Sequence, residues 1–240
     1  MSYTINNGRL GNQIIRNLAV NCIAEKHNLY VNYVNNDKIL ELGIELYCGS
    51  NKYNNTQILT DNNYFNILNA DNIDYNINSN YNYYQTKDIT NYIFNYLHTD
   101  IIRTKIINKN PFKDRYNNNN DVFIHIRLND VAKYNRGINY YLGVLSNITY
   151  DNIYISTDEP KHQIIIELIN KYPNIQMIDY NEILTFQYAS TCKNIILSHG
   201  SFSVIIGYLS FYSNVYYPEY DYNMWHGDMF SINGWNKISI

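Results

Sequence analysis

The chain is poor in the residues that mark several common protein classes. Of its 240 residues only Cys22, Cys48 and Cys192 are cysteines, widely separated and in no CxxC or other metal-ligand spacing. That pattern excludes a zinc centre, and its simplest reading is three buried small apolar side chains. Basic residues are not in excess: 18 Lys and Arg stand against 21 Asp and Glu, a net charge of −3. A nucleic-acid binder needs a basic face to release phosphate counterions, so the balance argues against that class and leaves room only for a local basic patch around Arg127. A long apolar run is also missing. The most apolar stretch, residues 195–212, is broken by Ser198, His199, Gly200, Ser201, Ser203 and Gly207, too polar and too short for a membrane span. The opening MSYTINNGRLGNQ has neither the charged nor the apolar region of a signal peptide. Together these absences lead us to expect a soluble, cytoplasmic protein.

What is present is enough for a core. Hydrophobic residues make up 45% and charged residues 16%, a globular balance. A chain this long forms one large domain or two of about 100–150 residues. The first half opens with a brief apolar segment and the loop Asn7-Gly8-Arg9-Leu10-Gly11-Asn12-Gln13. Its glycines suit a tight turn, and Asn12 suits the cap of a following helix. Ile14, Ile15, Leu18, Ala19, Cys22 and Ile23 then recur at helical spacing to Lys26, and residues 29–34 complete a β-α-β unit. The loop does not fit GxGxxG, and taken alone it reads equally as a plain β-to-α turn. Residues 35–90 are rich in Asn and Tyr and yield little, beyond a short strand at 57–59 and a helix at 64–68. A single helix is expected over 90–107. The breakers around Pro111 and Asn117–Asn120 separate domains of 1–115 and 116–240.

The second half alternates strand and helix throughout. Strands are expected at 122–126, 152–156, 175–178, 194–197 and 214–217, with helices from 139, 184 and 202 and another whose first turn holds Pro160. Such alternation implies a parallel sheet with helices on both faces. Three strand ends carry polar groups: His125, Arg127 and Asp130; Thr157 and Asp158; and Ser198 through Ser203. In a parallel sheet these ends line one crevice. Arg127 offers a planar fork for phosphate oxygens. Gly200, Ser201, Phe202 and Ser203 at a helix start offer N–H groups and hydroxyls to an anion. Asp158 and His125 suit the edge of a purine. Each residue singly has a plainer role: Arg127 in a surface ion pair, Asp158, Ser201 or Ser203 as a helix cap. Their convergence at strand ends favours a nucleotide site.

The ordered motifs resemble those of the α-1,2-fucosyltransferases, glycosyltransferase family 11. Gly8-Arg9-Leu10-Gly11-Asn12-Gln13 is similar to the family's N-terminal G-G/R-L-G-N-Q, and His125-Ile126-Arg127-Leu128-Asn129-Asp130 to its H-x-R-R-x-D. Asn139-Tyr140-Tyr141, Ser156-Thr157-Asp158 and Ser198-His199-Gly200-Ser201-Phe202-Ser203 follow in family order. The resemblance implies a GT-B-type fold, two Rossmann-like domains with parallel sheets facing across a cleft. It implies transfer of L-fucose from GDP-fucose to a hydroxyl of a glycan acceptor, with inversion and without a metal or other cofactor. Arg127 would then bind the pyrophosphate and stabilise leaving GDP, His125 and Asp158 would hold guanine, and Ser201–Ser203 would contact the β-phosphate. His199 and Gly200 belong to the same segment, and Gly8, Arg9, Gly11, Asn12 and Gln13 would face the donor. Asp130 is the first candidate for general base, with His199 and Glu25 as others. The pattern departs at Leu128, where a second arginine is expected, and at Val204-Ile205, where the family has two tryptophans. Those departures bear on the donor sugar more than on the nucleotide.

Overall fold

A computed structural model describes residues 1–79, 82–220 and 227–239. The chain is α/β, with two all-parallel sheets and, among the described residues, nine α-helices. It divides into two compact units. The first comprises Met1–Lys109 with the described residues of 222–232; the second begins at Asn110 and takes in the final residues from Asn233. The division thus falls at 109/110, against the expected 115/116, and residues 227–232 pack with the first unit. Thr90 and Asn91 hold them, donating to the carbonyls of Asp228 and Ser231. No helix among the described residues is long and apolar enough to cross a membrane.

The first sheet comprises β1 (Ser2–Thr4), β2 (Val31–Asn32), β3 (Thr56–Leu59) and β4 (Asn76–Ser79), in the order β2-β1-β4-β3. Between β1 and β2 runs α1 (Leu10–His27), buried over nearly its whole length. It starts four residues earlier than its apolar periodicity suggests, with Arg9 rather than Asn12 at the cap position. Polar Gly11, Asn12 and Gln13 hide the first turn from a periodicity reading. Asn28, in the left-handed region with φ 51°, ends the helix and returns its N–H to Ala24 O. The second strand is shorter than expected, because Leu29 leaves the sheet to bridge Asn51. Strand β4 lies in the stretch that sequence patterning left unread. α2 (Asn36–Glu41) and α3 (Tyr64–Leu68) are short. The expected helix over 90–107 is two, α4 (Lys87–Leu97) and α5 (Asp100–Lys109), separated at His98–Thr99. Thr99 Oγ1 bonds back to Tyr96 O, and its own carbonyl accepts from Arg103 N–H in the next helix. That local competition with the helical ladder is typical of threonine at a helix end. Cys22 and Cys192 are buried, whereas Cys48 is exposed, so the expectation for that cysteine does not hold.

The second sheet has six strands: β5 (Val122–Ile126), β6 (Ile153–Thr157), β7 (Gln176–Met177), β8 (Asn194–Ile196), β9 (Asn214–Pro218) and β10 (Asn236–Ile238). They lie in the order β7-β6-β5-β8-β9-β10, all parallel. Counted from β5 this is 3-2-1-4-5-6, the doubly wound order in which the chain builds outward one way, returns, and builds the other way. The intervening helices are α6 (Ile138–Leu145), α7 (Gln163–Lys171), α8 (Glu182–Ala189) and α9 (Ser201–Tyr208). Pro160 precedes α7 rather than lying in its first turn. His162 is the cap residue, its Nδ1 accepting from Ile164 N–H at 3.2 Å.

Strand β5 is buried at every residue because it is paired on both edges and covered on both faces. That explains its near-continuous apolar character. Ile124, Ile126, Leu128, Tyr140, Tyr141, Val144 and Ile155 form its packing cluster. The tyrosines bury their rings and still satisfy their hydroxyls: Tyr140 donates to Leu197 O and Tyr216 O at 2.9 and 3.1 Å. Gly207 on α9 leaves room for Trp235, whose ring would lie 2.4 Å from a Cβ there. Ile124→Ala should destabilise the second unit by about 2–5 kcal/mol, the cost of a cavity in a fully packed site. A lowered urea midpoint with unchanged m-value checks this.

Candidate functional site

In a doubly wound sheet the crevice opens outside the carboxyl ends of the strands where the order reverses, here between β5 and β8. Register brings the polar groups there. Ile126 pairs with Thr157, so Arg127 and Asp158 leave neighbouring strands at the same level. The Asp158 carboxylate accepts from Arg127 NH1 through Oδ2 and from the Leu128 N–H through Oδ1, the latter at 2.8 Å. Asn129 N–H adds a longer contact of 3.4 Å to Oδ1. Arg127 NH2 donates to Asp130 Oδ1. The guanidinium is thus held by two carboxylates, with its side chain still 15% exposed. Asp158 does not cap α7; it ties the end of β6 to the end of β5.

On the other side of the reversal, Gly200 precedes α9 at φ 93° and no side chain caps that helix. Neither Ser201 nor Ser203 serves as a cap, and there is no acid in the first turn. First-turn amides of α9 lack intrahelical partners by geometry, so this end presents N–H donors. Open space surrounds the Gly200 Cα where a side chain would go. Ser203 Oγ is 2.6 Å from His125 Nδ1. Phe202 stacks on the His125 imidazole, with ring centroids 4.9 Å apart, and itself meets Phe186. This hydrogen bond links β5 directly to α9 across the reversal.

Two histidines here are kept neutral. Burial lowers the His125 pKa to about 3; Asp158 opposes the shift, while His199 and Arg127 add to it. Burial, then Arg127, lowers His199 to about 4, with Asp158, the Val131 backbone and Asp130 opposing. A neutral imidazole has one donor and one acceptor nitrogen. His125 therefore works as a buried positioning group toward Ser203, and Ser198 Oγ lies 3.2 Å from His199 Nδ1.

Asn135 escaped the sequence reading, and it gives Tyr141, quoted there only as part of the Asn139-Tyr140-Tyr141 motif, a partner at this edge. Asn135 Nδ2 reaches Tyr141 OH at 2.9 Å, Arg127 O at 3.2 Å and Ser198 Oγ at 3.4 Å, while its Oδ1 accepts from Gly137 N–H. One amide thus ties the loop after β5 to the loop after β8. The only sequence signal was an Asn two residues before a Gly, a common turn pattern.

The remaining candidates lie in the first unit, in the loop from β1 into α1. Gly8 has φ 79°, and a Cβ there would come within 2.7 Å of Asn12 Nδ2. Gln13 Nε2 donates to Gly8 O and Asn6 Oδ1, its Oε1 accepts from Asn35, and Asn12 Oδ1 accepts from Gln85. These side chains thus shape the loop itself, while Arg9 and Gly11 flank the helix start. Arg16, fully buried on α1, was missed by pattern. Its NH1 donates to Asn7 O and Ile5 O and its NH2 to Asn82 O, joining the loops after β1 and β4. Those two strands are where the first sheet reverses its order. Glu25 lies fifteen residues after Leu10 in the same helix, roughly 22 Å along the axis. It is therefore remote from the Gly8 loop, and it lines a separate cavity of about 380 Å³ with Tyr47, Tyr96 and Lys105. Among the described residues no group of three or more His, Cys, Asp or Glu is placed to hold a metal ion.

The second unit is by its topology a doubly wound α/β domain, with Arg127 held between two carboxylates beside its reversal point. No protein-family model matches the chain, and no curated protein matches it.

The neutral histidines set a pH dependence. Their folded pKa values, about 3 and about 4, lie below the ordinary 6.5. The unfolded chain therefore binds more protons as pH falls below 6.5, so stability is full above that value and is lost on acidification. Each histidine contributes a slope of up to about 1.4 kcal/mol per pH unit between its two pKa values. Urea unfolding should show stability falling from pH 6.5 to 4, and His125→Gln should flatten that slope.

Proposed function

We propose that this protein is a GT-B-type glycosyltransferase that moves L-fucose from GDP-fucose to a hydroxyl of a glycan acceptor with inversion. The observation that carries the reading is that Arg127 and the uncapped start of α9 follow β5 and β8, the neighbouring strands at which the parallel sheet reverses its order. Both features suit an anionic diphosphate, and they come from different strands of one crevice. In the reaction, the acceptor hydroxyl attacks the anomeric carbon of fucose from the face opposite GDP. The bond from that carbon to the β-phosphate oxygen breaks, and its electron pair leaves with GDP. Arg127 stabilises the charge developing on the leaving phosphate, with Ser201 and the first-turn N–H groups of α9 as its partners. Ser203, expected at the phosphate, is instead fully buried with its hydroxyl on His125. His125 and Asp158 support the site as positioning groups for Ser203 and Arg127, with the guanine edge as their expected neighbour. The general base takes the acceptor proton; Asp130 and His199 are the candidates within this unit.

A second reading, transfer from another nucleotide sugar, is favoured by where the motif departures lie. Leu128, Val204 and Ile205 are each at most 1% exposed and belong to the core. Positions that the family fills with an arginine and tryptophans are here given to packing. An inactive nucleotide-sugar-binding or glycan-binding module is the reading outside enzymes. A donor panel separates the three: turnover of GDP-fucose, turnover of another donor only, or binding without turnover.

Arg127→Ala should abolish transfer and weaken GDP binding roughly 10- to 100-fold, the worth of a charged hydrogen bond or two. Circular dichroism should be unchanged, and titration calorimetry gives the affinity. Unaltered GDP affinity in that variant would overturn the assignment. Transfer should also persist in EDTA; loss on chelation with recovery on adding manganese would count against metal-independent chemistry.

A further inference from the structure

We infer that Asp130 is a displaceable counter-ion that occupies Arg127 until a diphosphate takes its place. The inference rests on the reading of Arg127 as the diphosphate-binding group and adds what controls its access. A guanidinium binds phosphate through paired N–H groups in one plane. Here its two terminal nitrogens are each engaged by a different carboxylate, NH1 by Asp158 and NH2 by Asp130. One cation with two carboxylates carries a net charge of −1. An arriving phosphate therefore meets repulsion, and gains the fork only by displacing one acid.

The two acids are not equivalent. Asp158 is 23% exposed and is fixed to the adjoining strand through the Leu128 N–H at 2.8 Å, so its departure would strip a backbone donor at the end of β5. Asp130 is 54% exposed and stands three residues from Arg127 in the following loop. An ion pair with a half-exposed partner is weak and is screened by salt. Asp130 is the acid that yields. When it leaves, Arg127 and Asp158 remain as a neutral pair, and the arginine keeps its orientation through Asp158 while its NH2 edge turns to the ligand.

The test is calorimetric titration of the full chain, in low salt, with GDP and separately with inorganic pyrophosphate. The variants are Asp130→Asn, Asp130→Ala and Arg127→Ala. Both Asp130 variants should bind each ligand roughly three- to tenfold tighter than the wild type. The gain should shrink as salt rises, and Arg127→Ala should bind each ligand roughly 10- to 100-fold more weakly than the wild type. Asparagine keeps the side-chain shape and alanine removes it, so either variant suffices if circular dichroism shows the other misfolded. Unchanged or weaker binding in the Asp130 variants, with Arg127-dependent binding in the wild type, overturns the counter-ion inference and leaves the diphosphate site standing. Binding that does not depend on Arg127, or none in any variant, overturns the diphosphate reading and this inference with it.

Discussion

Strand β5 pairs along one edge with β6 and along the other with β8, and the remainder of the second unit follows from that double pairing. Because the chain leaves β5 to build one side of the sheet and later returns to build the other, the connections depart in opposite directions. The space outside the ends of β5 and β8 is left uncovered by helices. A strand with neighbours on both edges and helices on both faces has to be apolar, which sets the composition of residues 122–126. Its chemistry can appear only where it ends. His125, the last inward-facing polar residue before that end, is admitted because Ser203 supplies its hydrogen bond and burial keeps it uncharged.

Asp158, Asn135, Tyr140 and Tyr141 around the crevice find their partners on neighbouring strands and loops. Asp158 spends one oxygen on Arg127 and the other on backbone; Asn135 bridges two loops; Tyr140 and Tyr141 carry hydroxyls through the core to carbonyl and amide partners. A half-satisfied network of this kind would cost more than an apolar core. The interlocking therefore explains why a loop on this edge can hold a charged side chain partly out of water. Of the two acids around Arg127, Asp158 is the less exposed and the one bonded to the backbone at the end of β5.

The first unit applies the same logic with shorter elements. Its order reverses between β1 and β4, and Arg16 crosses beneath that reversal to gather carbonyls from the loops after both strands. A buried guanidinium bonded to carbonyls is tolerated where it closes several loose backbone acceptors at once. The tight Gly8 turn stands directly above it in sequence, held by Gln13 and needing the left-handed conformation that glycine alone adopts without strain.

Much of this was legible in the residues. The alternation of β-branched strands with amphipathic helices in the second half determined a parallel α/β chain and located β5 at residues 122–126, because burial on both faces or on one stripe leaves a periodic trace. The same reading put Arg127, Asp158 and Ser201–Ser203 at strand ends. It could not find β4 or the break between α4 and α5, where asparagine and tyrosine blur the periodicity. Nor could it separate Asp158 as a framework acid from Asp158 as a ligand contact, find Asn135 or Arg16, or show that Glu25 lies a helix length from the Gly8 loop. Those facts depend on strand register and on which distant backbone groups need a partner. Register and partner choice come from packing between segments far apart in the chain, which leaves no local period to read. So the residues themselves determined the kind of fold and the position of its central strand β5. Only the tertiary structure decided how its charged groups pair, because those pairings depend on strand register.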